Sequence, residues 1–161
     1  MESDATREER APVVAVPVVA VIGAGACDAE TTAWAEEVGR LLAERGCTVV
    51  NGGLGGVMEA ASRGAAAAGG LVIGILPGPA REAANAWVTV AIATGMGDAR
   101  NAILANTADA FVAVGGEYGT LSEIAFALKR GKRVVALGSW DVDPAVVRAG
   151  TPAEAVARVL E

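Results

Sequence analysis

The segment from Thr94 to Lys129 holds the residues best placed to do chemistry. Gly115, Gly116 and Gly119 separate an apolar run, Ala110 to Val114, from a stretch ending at Lys129 in which Leu121, Ile124, Ala125 and Leu128 recur at helical spacing. A glycine-rich turn from strand to helix lets the backbone approach a ligand. It also aims the free N–H groups of the first helical turn at one point, where an anion, usually phosphate, is attracted. The Thr120 hydroxyl can add a hydrogen bond there. A structural reading stands beside this one: Thr120-Leu-Ser-Glu123 fits a capping box, in which Thr120 caps the helix and Glu123 reaches back to the cap N–H. The two readings are compatible, and spacing alone does not choose. Upstream, Arg100 stands at the N-terminal edge of a short helix expected over Asn101 to Asn106, with Ile103 and Leu104 facing inward. A cation gains nothing from the helix dipole at that end. A guanidinium aimed at a carboxylate or phosphate is therefore weighed against a solvated surface arginine.

Positioning these groups falls to strands that alternate with helices. Val18 to Ile22, Thr48 to Val50, Leu71 to Leu76, Trp87 to Ile92, Ala110 to Val114 and Arg133 to Leu137 read as strands. Asp28 is a good N-cap for a helix running to about Arg45 and stopped by Gly46, and a second helix over Val57 to about Ala68 is closed by Gly69 and Gly70. Thr151-Pro-Ala-Glu154 is another capping box and opens a terminal helix. Short loops between alternating elements predict a single-domain α/β three-layer sandwich with a mostly parallel sheet, over residues 16–161. Residues 1–15 start charged, end in a Pro/Val/Ala stretch without period, and read as a mobile tail.

In such a sheet, ligands bind at the carboxyl ends of strands, where the loops at Gly23, at Gly52, Gly53 and Gly55, and at Gly115 all fall. The loop at Gly23-x-Gly25 is not a dinucleotide fingerprint, because the third glycine would fall at Asp28 and the second strand ends in Asn51 and glycines instead of an acidic residue. It remains able to touch a base or ribose. Cys27 reads as a small buried hydrophobe.

Composition narrows the chemistry. The chain of 161 residues has a net charge of -6, no histidine, 21 glycines and 4% aromatic residues. Its 13 Lys and Arg form no long block, so nucleic acid is not an expected partner. Without histidine, Ser-His and Cys-His nucleophile pairs are excluded, along with most zinc sites, and no metal ligands are assigned. Proton transfer falls to carboxylates, Lys, Tyr or water. Two cysteines, Cys27 and Cys47, are too few for a disulfide framework and read as reduced. Pro12 to Ile22 is apolar but 11 residues long and broken by Pro17, so neither a signal segment nor a membrane span is expected and the cytoplasm is the expected compartment.

Several ordered blocks resemble a known family. Gly115-Gly-Glu-Tyr-Gly-Thr-Leu-Ser-Glu123 is similar to the PGGxGTxxE signature of the LOG (Lonely Guy) phosphoribohydrolases, often misnamed lysine decarboxylases. Met96-Gly-Asp-Ala-Arg100-Asn101 resembles their Met-x-x-Arg-Lys element at the same separation, with Arg100 20 residues before Thr120, and Asn51 to Glu59 resembles their second Gly-rich loop. The GGVMEAASRGA, GILPG, TGMGxARN and GGxYGTLSE blocks look still more like a sister group related to the DNA-processing protein DprA, which includes a molybdenum cofactor carrier protein. The resemblance implies a Rossmann-like fold and, carried residue by residue, catalytic roles for Arg100 and Glu123 in cleaving the bond between a base and ribose 5′-monophosphate. It implies that Gly115, Gly116, Gly119 and Thr120 surround the phosphate, with Gly23, Gly52, Gly53 and Gly55 in the other ligand loops. No cofactor is required on this reading; a small phosphorylated ligand, either a nucleotide or a molybdopterin-type molecule, is the expected partner. A homodimer or homotetramer paired through Ala-rich helices beside the site is the expected assembly. The chain departs from the enzymes' pattern: the signature's Pro is Gly115, its second Gly is Glu117, and the Lys after the Arg is Asn101. These changes keep three classes open: a hydrolase, a non-catalytic carrier or sensor, and a DNA-processing partner, for which a basic stripe is lacking.

Overall fold

The computed structural model describes residues 16–161; the expected tail over residues 1–15 lies outside them. Seven strands form one sheet: β1 (Val18–Ile22), β2 (Thr48–Asn51), β3 (Val72–Leu76), β4 (Val90–Ala93), β5 (Ala110–Val114), β6 (Arg133–Leu137) and β7 (Val147–Ala149). Their order is β4-β3-β2-β1-β5-β6-β7, and every neighbouring pair is parallel. Five helices cover it: α1 (Ala29–Glu44), α2 (Val57–Ala67), α3 (Arg100–Thr107), α4 (Tyr118–Lys129) and α5 (Pro152–Val159).

Strand periodicity sorts the core into two layers. On one face Val19, Val21, Val112, Val114, Val135 and Leu137 meet α1, α2 and α5. On the other, Ala20, Ile22, Phe111, Ala113, Val134 and Ala136 meet α3 and α4. Alternate residues of each central strand thus serve opposite layers, which is why these strands read as continuous apolar runs. Small residues set the spacing on the first face. A Cβ at Gly39 of α1 would collide with the Ala61 carbonyl of α2, and one at Gly64 of α2 with the Glu36 carbonyl of α1.

The ends of the elements follow local chemistry. Asp28 caps α1, its carboxylate accepting from the Thr31 N–H at 2.8 Å. Thr151 caps α5 by accepting from the Glu154 N–H at 3.1 Å, while Glu154 accepts from the Gly150 N–H at 2.8 Å. The C-terminal carbonyls of α3 are gathered by the Lys132 ammonium, which donates to Ala105 O, Asn106 O and Ala108 O. Two strands differ from expectation by more than a residue. Trp87 is not in a strand: its N–H donates to Asn85 Oδ1 in a turn, and β4 begins at Val90. A short edge strand, β7, pairs with β6 through Val135–Val147, Ala136–Arg148 and Leu137–Ala149, where no strand was expected.

Candidate functional site

The strand order reverses at β1. The chain builds outward through β2, β3 and β4, then returns to lay β5 on the other flank of β1. Loops leaving the carboxyl ends of β1 and β5 diverge there and leave a crevice, the usual ligand position in an open α/β sheet. A cleft of about 260 Å³ occupies it. Gly23, Ala24, Gly25, Leu54 and Met58 form one wall; Asp98, Arg100, Asn101, Glu117, Gly119, Thr120 and Glu123 form the other.

Backbone conformation at two glycines creates the second wall. Gly115 (φ 57°) and Gly116 (φ 123°) lie in the region L side chains rarely adopt, and they turn the chain so that Glu117 becomes the extended N-cap residue. The helix therefore starts at Tyr118, three residues before the expected Leu121. Its first intrahelical backbone bond runs from Leu121 N–H to Glu117 O, leaving the N–H groups of Tyr118, Gly119 and Thr120 without an acceptor inside the helix. The capping-box reading of Thr120 and Glu123 is thereby overturned. Thr120 is the third helical residue, buried against Gly116, and Glu117 makes no side-chain cap bond. Freed from capping, Glu123 faces the cleft.

The predicted ligand glycines divide into two sets. Gly23 and Gly119 line the cleft. At Gly23 a Cβ would lie 2.6 Å from Val114 O and from the Val57 side chain, whereas at Gly119 it would meet no heavy atom within 4 Å. Packing thus explains Gly23, while the bareness of Gly119 leaves room in the cleft itself. Gly52, Gly53, Gly55, Gly115 and Gly116 shape the loops behind the wall. Gly52 O accepts from Arg100 Nη1 at 2.7 Å, and the Gly53 N–H donates to Asn51 Oδ1 at 2.8 Å.

Arg100 and Glu123 line the same cleft, and neither is simply exposed. Arg100 Nη1 also donates to Ile75 O at 2.6 Å, so one nitrogen of the guanidinium ties the ends of β2 and β3 together, leaving Nε and Nη2 for other partners. Burial pulls its pKa below the ordinary value, opposed by the charges of Glu123 and Asp98. Glu123 is 7% exposed. Burial pushes its carboxyl up to about 7, and the Arg100 charge only partly offsets this; no hydrogen bond contributes. A carboxyl titrating near neutrality, beside a cation and one helical turn from free amides, is equipped to exchange a proton or to face a developing positive charge.

Two asparagines went unrecognised as site-builders. Asn51, fully buried, donates through Nδ2 to Met58 O (3.1 Å) and Ser62 Oγ (2.9 Å), fixing the β2–α2 loop. Asn101 donates through Nδ2 to Ser122 Oγ at 3.0 Å, joining α3 to α4, and its Oδ1 is buried without a partner among the described residues. The available signal was position: Asn101 shares a helical face with Leu104 and Ala105, both buried.

A second cleft, of about 300 Å³, lies on the other side of Gly25 and is lined by Cys27, Thr32, Glu59 and Arg63 among others. Cys27 Sγ lies 3.2 Å from Thr32 Oγ1, and Arg63 is paired with Glu36 at 2.9 Å. Among the described residues, no helix is long and apolar enough to cross a membrane.

Comparison with known proteins places this geometry. An uncharacterized protein of Archaeoglobus fulgidus is 52% identical over 143 residues, covering 86% of this chain and 91% of the relative. The probable cytokinin riboside 5′-monophosphate phosphoribohydrolase LOGL5 of Oryza sativa subsp. japonica is 38% identical over 93 residues, covering 56% of this chain and 38% of the rice protein. Among solved structures, the molybdenum cofactor binding protein from Rippkaea orientalis superimposes with a TM-score of 0.87 at 35% identity, covering 92% of this chain and 98% of that one. The Moco carrier protein from Chlamydomonas reinhardtii gives 0.82 at 37% identity, covering 91% and 96%. DprA from Streptococcus pneumoniae, at 19% identity and a TM-score of 0.70 over 88% of this chain and 61% of that one, shares the fold. The expected Rossmann-like, LOG-related architecture is what these likenesses share, and the family model that matches residues 16–160 is more specific: the chain belongs to the SLOG cluster4 family.

Proposed function

We propose that the protein binds a nucleoside 5′-monophosphate-like ligand and hydrolyses its N-glycosidic bond, giving free base and ribose 5-phosphate. The phosphate sits on the amides of Tyr118, Gly119 and Thr120 with the Thr120 hydroxyl, and the sugar lies against Glu123. One observation carries the reading: Glu123 holds a buried carboxylate, without a hydrogen bond, on the cleft wall it shares with Arg100. Such a group costs stability and gains its use when positive charge develops in front of it. As the C1′–N bond breaks, the base takes the bonding pair and the sugar acquires oxocarbenium character facing Glu123. Water oxygen bonds to C1′, and the proton it loses is delivered to the departing base, with Glu123 as the carrier. Arg100, through Nε and Nη2, orients the ligand.

A second reading is a carrier of a phosphate-bearing, molybdopterin-type ligand without turnover. It is favoured by the full-length likeness to proteins named for molybdenum cofactor binding and carriage, and by Asn101 where the resembling enzymes have Lys. Incubating the purified chain with a panel of nucleoside 5′-monophosphates separates the two. Release of free base and ribose 5-phosphate is the expected result. Thermal stabilisation without release selects the carrier, and neither effect with any monophosphate overturns the proposal.

A further inference from the structure

Three polar side chains on the cleft wall are buried: Thr120 is 3% exposed, and Asn101 and Glu123 are 7% exposed. Buried polar atoms are nearly always paired, and an orphaned one costs free energy that a fold does not normally leave uncompensated. Asn51 shows how this chain treats a structural asparagine: both ends of its amide are used. Asn101 is treated differently. Its Nδ2 donates to Ser122 Oγ at 3.0 Å, and Ser122 Oγ lies 2.7 Å from Gly119 O. A carbonyl only accepts, so the single hydroxyl proton of Ser122 is committed to Gly119 O, and Ser122 can only accept from Asn101. That network fixes the amide: nitrogen toward Ser122, oxygen unpartnered.

We infer that Asn101 Oδ1 is a specificity determinant that accepts a hydrogen bond from a hydroxyl on the sugar of the phosphorylated ligand. This rests on the proposed phosphate position. The free amides end at Thr120, and Glu123 follows three residues later, ~4.5 Å along the helix axis at the α-helical rise. Asn101 is joined to Ser122, the neighbour of Glu123. A phosphate on the first turn therefore brings the adjoining sugar to this pair of acceptors, leaving the base to point outward. Asn101 Oδ1 and the ionised Glu123 carboxylate both accept, so the matching ligand surface is one that donates, as sugar hydroxyls do and a second phosphate does not. Lysine at this position would offer the opposite chemistry, a charged donor.

Titration calorimetry with inorganic phosphate, ribose 5-phosphate and the 2-deoxy and 3-deoxy forms of that sugar phosphate reads the inference without requiring the base to be known. On the unmodified chain, one deoxy sugar phosphate is expected to bind about tenfold more weakly than ribose 5-phosphate, the cost of leaving the acceptor orphaned. In Asn101→Ala that gap closes, while the affinity for inorganic phosphate is unchanged. Asn101→Leu, closer in size, serves where the alanine variant does not fold. Equal binding of all three sugar phosphates by the unmodified chain overturns the role of Asn101 and leaves the phosphate site standing. A gap that persists in the variants overturns it as well. Failure to bind phosphate or any sugar phosphate removes both this inference and the function on which it rests.

Discussion

At Glu123, the burial that raises the carboxyl pKa also costs stability. With a folded-state pKa of about 7 against an ordinary 4.5, the native chain holds the Glu123 proton to higher pH than the unfolded chain does. Below about pH 4.5 both states are protonated, and the group is neutral to stability. As pH rises toward about 7 the unfolded state ionises first and stability falls; above that the full penalty is in place. Glu123→Gln keeps the shape and removes the penalty. It should leave stability unchanged near about pH 4 and raise it by up to about 3 kcal/mol above about pH 8, as read by urea unfolding across that range. The same variant should still bind nucleoside monophosphate and lose hydrolytic turnover. A variant no more stable than the parent in alkali would mean that the carboxylate is compensated in the native state. The fold brings Arg100, Thr120 and Glu123 to one cleft, by an arrangement that sequence spacing does not give. The capping box was a valid reading of spacing, but spacing does not say where a helix begins. The double duty of Arg100, with one nitrogen spent on the carbonyls of Gly52 and Ile75, depends on strands distant in sequence. Asn101 reads as a lost cation when its residue type is compared with a signature, whereas the acceptor role proposed for it depends on where the one proton of Ser122 goes.

The N-terminus of α4 is the element on which the proposed anion site stands. Strands β1, β5 and β6 were readable to the residue because both faces of each are covered, which leaves at least four consecutive apolar residues in each. The start of α4 was not, since Tyr118 and Gly119 carry no apolar periodicity and only the backbone turn at Gly115 and Gly116 assigns them to the helix. Strand β7 was missed for a related reason: Val-Arg-Ala has no run to read, and it is a strand because β6 offers it an open edge. That edge is local to β7, where Arg148 also pairs with Asp141. Two substitutions on α4 test the anion site in opposite directions. Thr120→Val keeps the buried volume and removes a hydroxyl, so the thermal stabilisation given by phosphate or sulfate should shrink. Glu117 lines the same cleft as a carboxylate at the N-cap, where it repels an anion. Glu117→Gln should tighten phosphate binding several-fold at low ionic strength, and the gain should fade as salt is added. Phosphate stabilisation that neither variant alters would move the anion away from α4.

At the scale of the whole molecule the question is what covers the β4 edge. One face of each Ala- and Gly-rich helix expected to pair two chains is taken up within the chain, where α1 and α2 approach at Gly39 and Gly64. Exposed large apolar residues collect elsewhere. Val90 and Ile92 are each 45% exposed along β4, the terminal strand of the sheet, and Trp87 and Met96 flank it at 40% and 52%. Among the described residues the outer edge of β4 has no strand partner, and an edge bearing apolar side chains is a liability in a monomer, commonly blunted by charge, proline or a covering element. Along Val-Ala-Ile-Ala there is neither charge nor proline. A second copy of the chain is the simplest cover, because a two-fold axis matches one such surface with itself. We propose a homodimer, or a dimer of dimers, that buries β4; pairing through the helices beside the site is the alternative. Sedimentation at micromolar concentration should give a mass above that of one chain. Ile92→Lys, which places a charge on the edge without touching the core, should shift the protein toward monomer while leaving its phosphate response intact, because the cleft lies beyond β2 and β3 at the β1–β5 crevice. A parent chain that sediments as a monomer, or an Ile92→Lys variant that remains fully assembled, would place the interface elsewhere. If dissociation abolished phosphate binding as well, the cleft would need residues from the second copy to be complete.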